Sequence, residues 1–340
     1  MKTQLQHDGD RVWIEGVNGW FRGDKESSVH AAQEAVMQVV GEKIAYDDLL
    51  GVSGLAFRMQ IHKDSFCGSS PHASCGYPCV ERSIQSLGWN VRHFEVQPAE
   101  QAQVAEARRA MVESINRGVP VQYGHEEDGV IVGYQKQGEE WICLHPYHEW
   151  GKKTFVETHW PWRVAVFVDP KPDVPSRKAL AREALKQAVD MARTQESGGY
   201  FLGFRAWDEY AQRLKTLEIT EEKMRPIAMQ GNAWIYECLA QYRASAARYL
   251  HSVAGEFDLE PSKHLNHASG LYERIAHQML RDDAQCTWDI APYPYSQKEI
   301  QQWTGEMRRE QARRLETALP VEREAIAEIE LALGLINSTF

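Results

Sequence analysis

Apolar positions along the first 170 residues come in short runs, and the polar breaks between them carry Gly and Pro. Runs at 11–15, 51–59, 89–95, 119–123, 129–134, 140–145 and 163–168 are rich in Val, Ile and Trp and predict strands. Three stretches keep helical spacing instead, at 28–40, 79–87 and 98–117. In the first, Val29, Ala32, Val36 and Val40 form one apolar face after Asp24-Lys-Glu-Ser-Ser28, and Gly41 closes it. The pattern changes near residue 170. Asp169-Pro-Lys-Pro-Asp-Val-Pro175 places three Pro in seven residues, a composition suited to a stiff extended connector.

Beyond the connector, apolar residues recur with the helical period. Ser176 is placed to cap a helix to about Arg193, and Phe204, Trp207, Tyr210, Ala211 and Leu214 share one face of a helix over 204–217. Further helices are predicted at 220–228, 231–254, 261–281, 296–317 and 320–336. Ser296 and Glu299 have capping-box spacing, and Pro320 suits the first position of the last helix. The expected fold class is therefore α+β, with a mixed domain over 1–170 and an all-helical domain over 171–340.

Candidate chemistry gathers in Gly118-Val-Pro-Val-Gln-Tyr-Gly-His-Glu-Glu-Asp-Gly-Val-Ile-Val-Gly-Tyr134 and Trp141-Ile-Cys-Leu-His-Pro146. These segments read as three consecutive antiparallel strands with acidic and His residues at their ends. Together with the capped first helix and Tyr46-Asp-Asp-Leu-Leu-Gly-Val-Ser-Gly-Leu-Ala-Phe57, they resemble the papain-like group that includes bacteriocin-processing peptidases and the N-terminal acyltransferase domain of a butirosin-biosynthesis protein. Aromatic and alanine-rich helices around Trp207, Trp234 and Tyr272 resemble the helical second domain of the latter. The resemblance implies a papain-like fold for the first domain. It also implies acyltransferase or amide-hydrolase chemistry on a small amine-bearing or peptide-like substrate, in secondary metabolism.

The chain departs from that group where its chemistry resides. Ser28 stands where the group has its nucleophilic Cys, Glu127 where it has His, and His145 where it has the Asp of an Asp-Pro pair. Two readings follow. In one, Ser28, His145 and Glu127 form a triad with base and orienting group exchanged, because such sites are defined by roles and geometry. His125, Asp128, Tyr123 and His148 then contact the substrate. In the other, the site has lost its chemistry and the cleft binds a small metabolite or peptide; Ser28 is then an ordinary helix-capping residue.

Cys67, His72, Cys75 and Cys79 offer a competing site, but their spacing matches no common zinc pattern. Cys79, at a helix start, is a second candidate nucleophile. No nucleotide fingerprint or two-His metal motif is present, so no cofactor is implied. A net charge of −10 argues against nucleic-acid binding, and Arg308, Arg309, Arg313 and Arg314, interleaved with Glu, read as a solvated helix face. No signal-like or membrane-spanning run is found. A cytoplasmic protein with reduced cysteines is expected, with a small-molecule or peptide substrate and a homodimer as the oligomer to consider.

Overall fold

A computed structural model describes residues 4–20, 25–95, 97–217, 225–281, 287–293 and 303–338. The chain divides into two compact units. The first comprises 1–49 and 83–174, the second 50–82 and 175–340. Residues 50–82, expected within the first domain, thus group with the C-terminal half.

The first unit is built on an antiparallel sheet. Its strands are β1 (Gln4–Asp8), β2 (Arg11–Glu15), β4 (Trp89–Phe94), β5 (Val121–Gly124), β6 (Asp128–Gln135), β7 (Glu140–Leu144), β8 (Phe155–Glu157) and β9 (Arg163–Pro170). They run in the order β1-β2-β6-β5-β9-β4, with β7 also paired to β6 and β8 to β7. β6 is the hub: it pairs β5 through residues 128–131 and β2 through 133–134, and β7 from 130 to 135. Side-chain alternation splits its two faces. After α3 (Val80–Ser86), α4 (Gln101–Asn116) supplies Ala110, Met111 and Ile115, which pack with Val121, Tyr123 and Ile131. Gln122, between them in sequence, instead reaches the carbonyl of Val29 at 3.5 Å.

That carbonyl belongs to α1 (Ser28–Val39), a helix that buries nearly its whole length. Its end follows the spacing argument. Gly41 takes φ of +89°, its N–H donates to Gln38 O, and the N–H of Glu42 donates to Met37 O at 2.9 Å. This paired closure of the last carbonyls is what a left-handed glycine permits.

The run at 51–59 is not a strand. It forms the end of α2 (Tyr46–Ser53) and a 3-10 turn, Leu55–Phe57, entered through Gly54 at φ +82°. Leu49, Leu50, Leu55 and Phe57 are all buried, and a short buried apolar run does not by itself distinguish helix from strand.

The second unit holds α5 (Arg177–Arg193), capped by Ser176, whose Oγ accepts from Ala179 N–H at 3.2 Å, α6 (Gly203–Thr216), α7 (Arg225–Ala254), α8 (Leu259–Arg274) and α9 (Gly305–Ser338). It is not purely helical. β3 (Gln60–His62), β10 (Glu196–Ser197) and β11 (Tyr200–Leu202) form a three-stranded antiparallel sheet, β3 pairing β11 across about 140 residues of chain. Strands of two or three residues are too short to leave a period in the sequence.

Two predicted helices are one: α9 runs through Pro320. The expected capping box at Ser296 and most of the predicted helix at 220–228 lie outside the described residues. In the Arg-rich stretch of α9, Arg313 pairs with Glu310 on the surface, but Arg314 is buried against Glu310, Asp289 and the carbonyl of Leu280. Among the described residues, no helix is long and apolar enough to cross a membrane.

A buried ion pair organises this unit. Nε and Nη2 of Arg243 on α7 donate to the two carboxylate oxygens of Glu322 on α9, each at 2.8 Å. Nη1 donates to the carbonyls of Ala56 and Arg58, at 2.9 and 3.3 Å. Arg243 also lies over the rings of Trp207 and Tyr272.

Candidate functional site

The register of the first sheet brings one row of residues together at one end. Gly124 of β5 pairs with Asp128 of β6, so His125-Glu126-Glu127 is a three-residue hairpin turn, held by the N–H of His125 donating to Glu127 O at 3.0 Å. On the other side of β5, Gly124 faces Arg163, the first residue of β9. A Cβ at Gly124 would lie 2.4 Å from Arg163 Nε, so glycine leaves the space the guanidinium occupies. On the far edge of β6, Val130 pairs with Leu144, which delivers His145 to the same end.

Ser28 is the first helical residue of α1, not its cap. Its Oγ donates to Glu127 Oε2 at 2.5 Å and accepts the backbone N–H of Asp128 at 2.9 Å. Tyr147 OH donates to the other carboxylate oxygen of Glu127 at 3.2 Å. Asp128, almost fully buried, receives Gln122 Nε2 at 2.6 Å and pairs with Arg163. Glu127 thus accepts two hydroxyls, and Asp128 is paired with a cation.

His145 faces backbone rather than Ser28. Its Nε2 lies 3.4 Å from Glu127 O, and Nδ1 accepts the N–H of Tyr147 at 3.3 Å. Burial holds its pKa below the usual 6.5, partly opposed by the Glu127 carbonyl, and so favours the neutral imidazole. Among the described residues no imidazole hydrogen-bonds Ser28. Tyr123 is buried in the core, its phenol pushed up by desolvation and set against Cys143. The ring of His148 packs on Phe155, with centroids 4.4 Å apart.

The nearest serine–imidazole contact is one residue earlier. Ser27 Oγ lies 2.7 Å from Nδ1 of His30, both buried, and the N–H of Ser27 donates to Tyr46 OH at 2.9 Å. The sequence pattern alone does not single out His30, Tyr147, Arg163 or Gln122. Two had a signal: Gln122 is a polar residue inside an apolar strand, and Ser27 and His30 have the i, i+3 spacing of helical neighbours.

Around the row lie rings and unpaired polar atoms. His125 sits edge-on between Tyr123 and Trp162, and His145 between Tyr123 and Tyr147. Tyr147 is 49% exposed and Trp162 61%, so the rim faces solvent. Nε2 of His125 and Oε1 of Gln122 are buried without a hydrogen-bond partner among the described residues. Buried polar atoms of this kind require an explanation, and a bound ligand is one.

In the second unit the cysteine-rich loop is organised by Arg58. Its buried guanidinium donates to the carbonyls of Ser70, Pro71, His72, Cys75 and Tyr77 at 2.8–3.3 Å and lies 3.7 Å from Cys79 Sγ. Burial raises the Cys79 thiol's pKa despite Arg58, so this buried thiol is a poor nucleophile. Among the described residues, no three His, Cys, Asp or Glu side chains converge as a metal-binding group. Comparison of the chain with protein-family models and with curated proteins gives no match.

Proposed function

We propose that the first unit is a papain-like module whose nucleophile position is closed, and that it binds a small amine-bearing or peptide-like metabolite at the 124–128 hairpin. The observation that carries this reading is the Ser28 hydroxyl donating its proton to Glu127 at 2.5 Å. A serine nucleophile needs a base strong enough to take that proton. A carboxylate, with an ordinary pKa of about 4.3, is a far weaker base than an imidazole. With Asp128 N–H on its remaining side, Oγ is held in a hydrogen-bond lock.

The ligand class follows from the rim. The Glu127 carboxylate and the exposed rings of Tyr147 and Trp162 beside it favour an ammonium group over the aromatic faces. His125 Nε2, in the tautomer that leaves it an acceptor, offers a further contact for an ammonium N–H. A second reading rests on the Ser27–His30 contact of 2.7 Å, which has the geometry of a nucleophile and base.

Hydrolysis of p-nitrophenyl acetate by wild type, Ser28→Ala and Ser27→Ala separates these readings. The binding module gives three rates equal to background. A wild-type rate lost only in Ser28→Ala restores acyl transfer at that position, and one lost only in Ser27→Ala moves the chemistry to the Ser27–His30 pair. Calorimetry with Gly-Tyr dipeptide and its N-acetyl derivative tests the ligand class. Binding of the free amine, weakened by acetylation and by Glu127→Gln, is expected; equal binding of the two forms overturns it.

A further inference from the structure

At the opposite end of β6 from Asp128, a cavity of about 360 Å³ opens between one face of α4 and the 136–138 turn. That volume falls in the range of small-molecule sites, about 300–1,000 Å³. Gln101, Ala105, Arg108 and Val112 repeat along the helix at spacings of three and four residues, so one stripe lines it, joined by Val104, Arg109 and, across the gap, Gln137. The floor is apolar. The polar groups are two guanidiniums and two amides.

Neither guanidinium is used by the fold. Nε of Arg108 is buried without a partner, and neither Arg108 nor Arg109 makes a hydrogen bond or ion pair among the described residues. Two of the nearby carboxylates are engaged elsewhere, Glu106 with Arg92 and Glu140 with Lys136, each at 2.6 Å; Glu113, one turn beyond Arg109, and Glu139 complete the local acidic groups. In a chain of net charge −10, two adjacent unpaired arginines facing one cavity form a local site for negative charge.

The opposite wall is held in an uncommon conformation. Lys136, Gln137 and Gly138 take φ of +50°, +57° and +87° in succession. Left-handed backbone at non-glycine residues persists when its surroundings enforce it. Here the N–H of Lys136 donates to Asp10 Oδ2 at 3.1 Å, and Lys136 Nζ is tied to Glu140. Gly138 has no room for a side chain, since a Cβ would lie 2.8 Å from Val112 Cγ2. The turn is thereby pressed against α4, and Gln137 is presented at the cavity.

We propose that this cavity binds a small amphiphilic anion. Its carboxylate or phosphate head is taken by Arg108 and Arg109, whose planar donors suit such groups, and its short apolar body lies on Val104, Ala105 and Val112. The assignment uses no residue of the hairpin site and stands independently of it.

The test is titration of the full-length ¹⁵N-labelled protein with hexanoate, hexyl phosphate and hexylamine, following backbone resonances of α4 and the arginine Nε–H signals. Both anions are expected to bind saturably and the amine not. Arg108→Gln and Arg109→Gln should each weaken binding about tenfold, equivalent to about 1.4 kcal/mol, with the amide spectrum otherwise unchanged. The second of these side chains is exposed, so its loss leaves the fold intact. Tighter binding of hexyl phosphate assigns a phosphate ester and tighter binding of hexanoate a carboxylic acid, and either upholds the site. Absence of saturation by both anions overturns it. So does equal binding of hexylamine, or an affinity untouched in both variants.

Discussion

Two buried glutamates, one in each unit, have been given opposite surroundings. Glu322 meets Arg243 through two parallel hydrogen bonds, with 2% and 0% of the side chains exposed, and the arginine's other donors end on backbone carbonyls. Both charged groups of that pair are satisfied. Glu127 instead sits on a hairpin turn, draws the hydroxyls of Ser28 and Tyr147, and has a buried, unpartnered nitrogen of His125 two residues away. A fully answered buried charge fixes long helices in register. The hairpin cluster, where a buried nitrogen of His125 is left without a hydrogen bond among the described residues, keeps capacity to bond something else.

The largest test removes one member of the first pair. Arg243→Met or Glu322→Leu alone should cost about 3–5 kcal/mol in urea unfolding, because the remaining charge is left buried and uncompensated. The double substitution should recover much of that loss. Single variants costing under about 1 kcal/mol would mean that the pair does not anchor the unit, and the contrast between the two glutamates would collapse.

A smaller effect is expected at the hairpin. Glu127→Ala removes an acceptor from two hydroxyls, and Ser28→Ala a donor and an acceptor; losses of about 1–3 kcal/mol each are in the range for buried hydrogen-bonded groups. A double-mutant cycle should show coupling of about 1 kcal/mol or more between positions 28 and 127. Additive losses would mean that the short contact in the structure carries no energy.

The smallest effect is a pH dependence confined to the hairpin side. The pKa of His145 is depressed by burial, so the unfolded chain binds a proton at higher pH than the folded one. This contribution is intact above about 6.5 and is lost as pH falls from there through the folded value. Thermal unfolding of His145→Gln should therefore be flatter than wild type below about pH 6.5 and parallel to it above. Identical slopes would assign the acid sensitivity elsewhere, with His93, also depressed by burial, as the next position to substitute.

How much of this was written in the order of residues depends on the distance over which each feature is decided. α1 was legible because its apolar face and its closing Gly41 are local. β5, β6 and β7 were legible because their apolar runs are separated by short polar turns. The run at 51–59 predicts a strand yet forms helix, because strand and buried helix share an apolar signature. Pro320 suits a helix start, yet α9 passes through it, carried by the buried face that also holds Leu315, Leu319 and Ile326. The Ser28–Glu127 contact joins residues 99 apart in the chain. Family resemblance led to an imidazole as the partner of Ser28, whereas the hairpin register determines which side chain arrives there.

The interleaving of the two units has a consequence for synthesis. Residues 50–82 leave the ribosome well before 175–340, the partners with which they form a compact unit. β3 must therefore wait for β11 through about 140 residues of translation, roughly 7–28 s at about 5–20 residues per second. Throughout that interval Ile61 and Phe66, buried in the finished protein, are without their final neighbours. A chain cut after residue 174 extends this transient condition indefinitely. Expression of 1–174 alone therefore yields a first unit carrying an orphaned insertion, whereas excising 50–82 and joining the flanking segments by a flexible linker leaves the first unit as an uninterrupted chain.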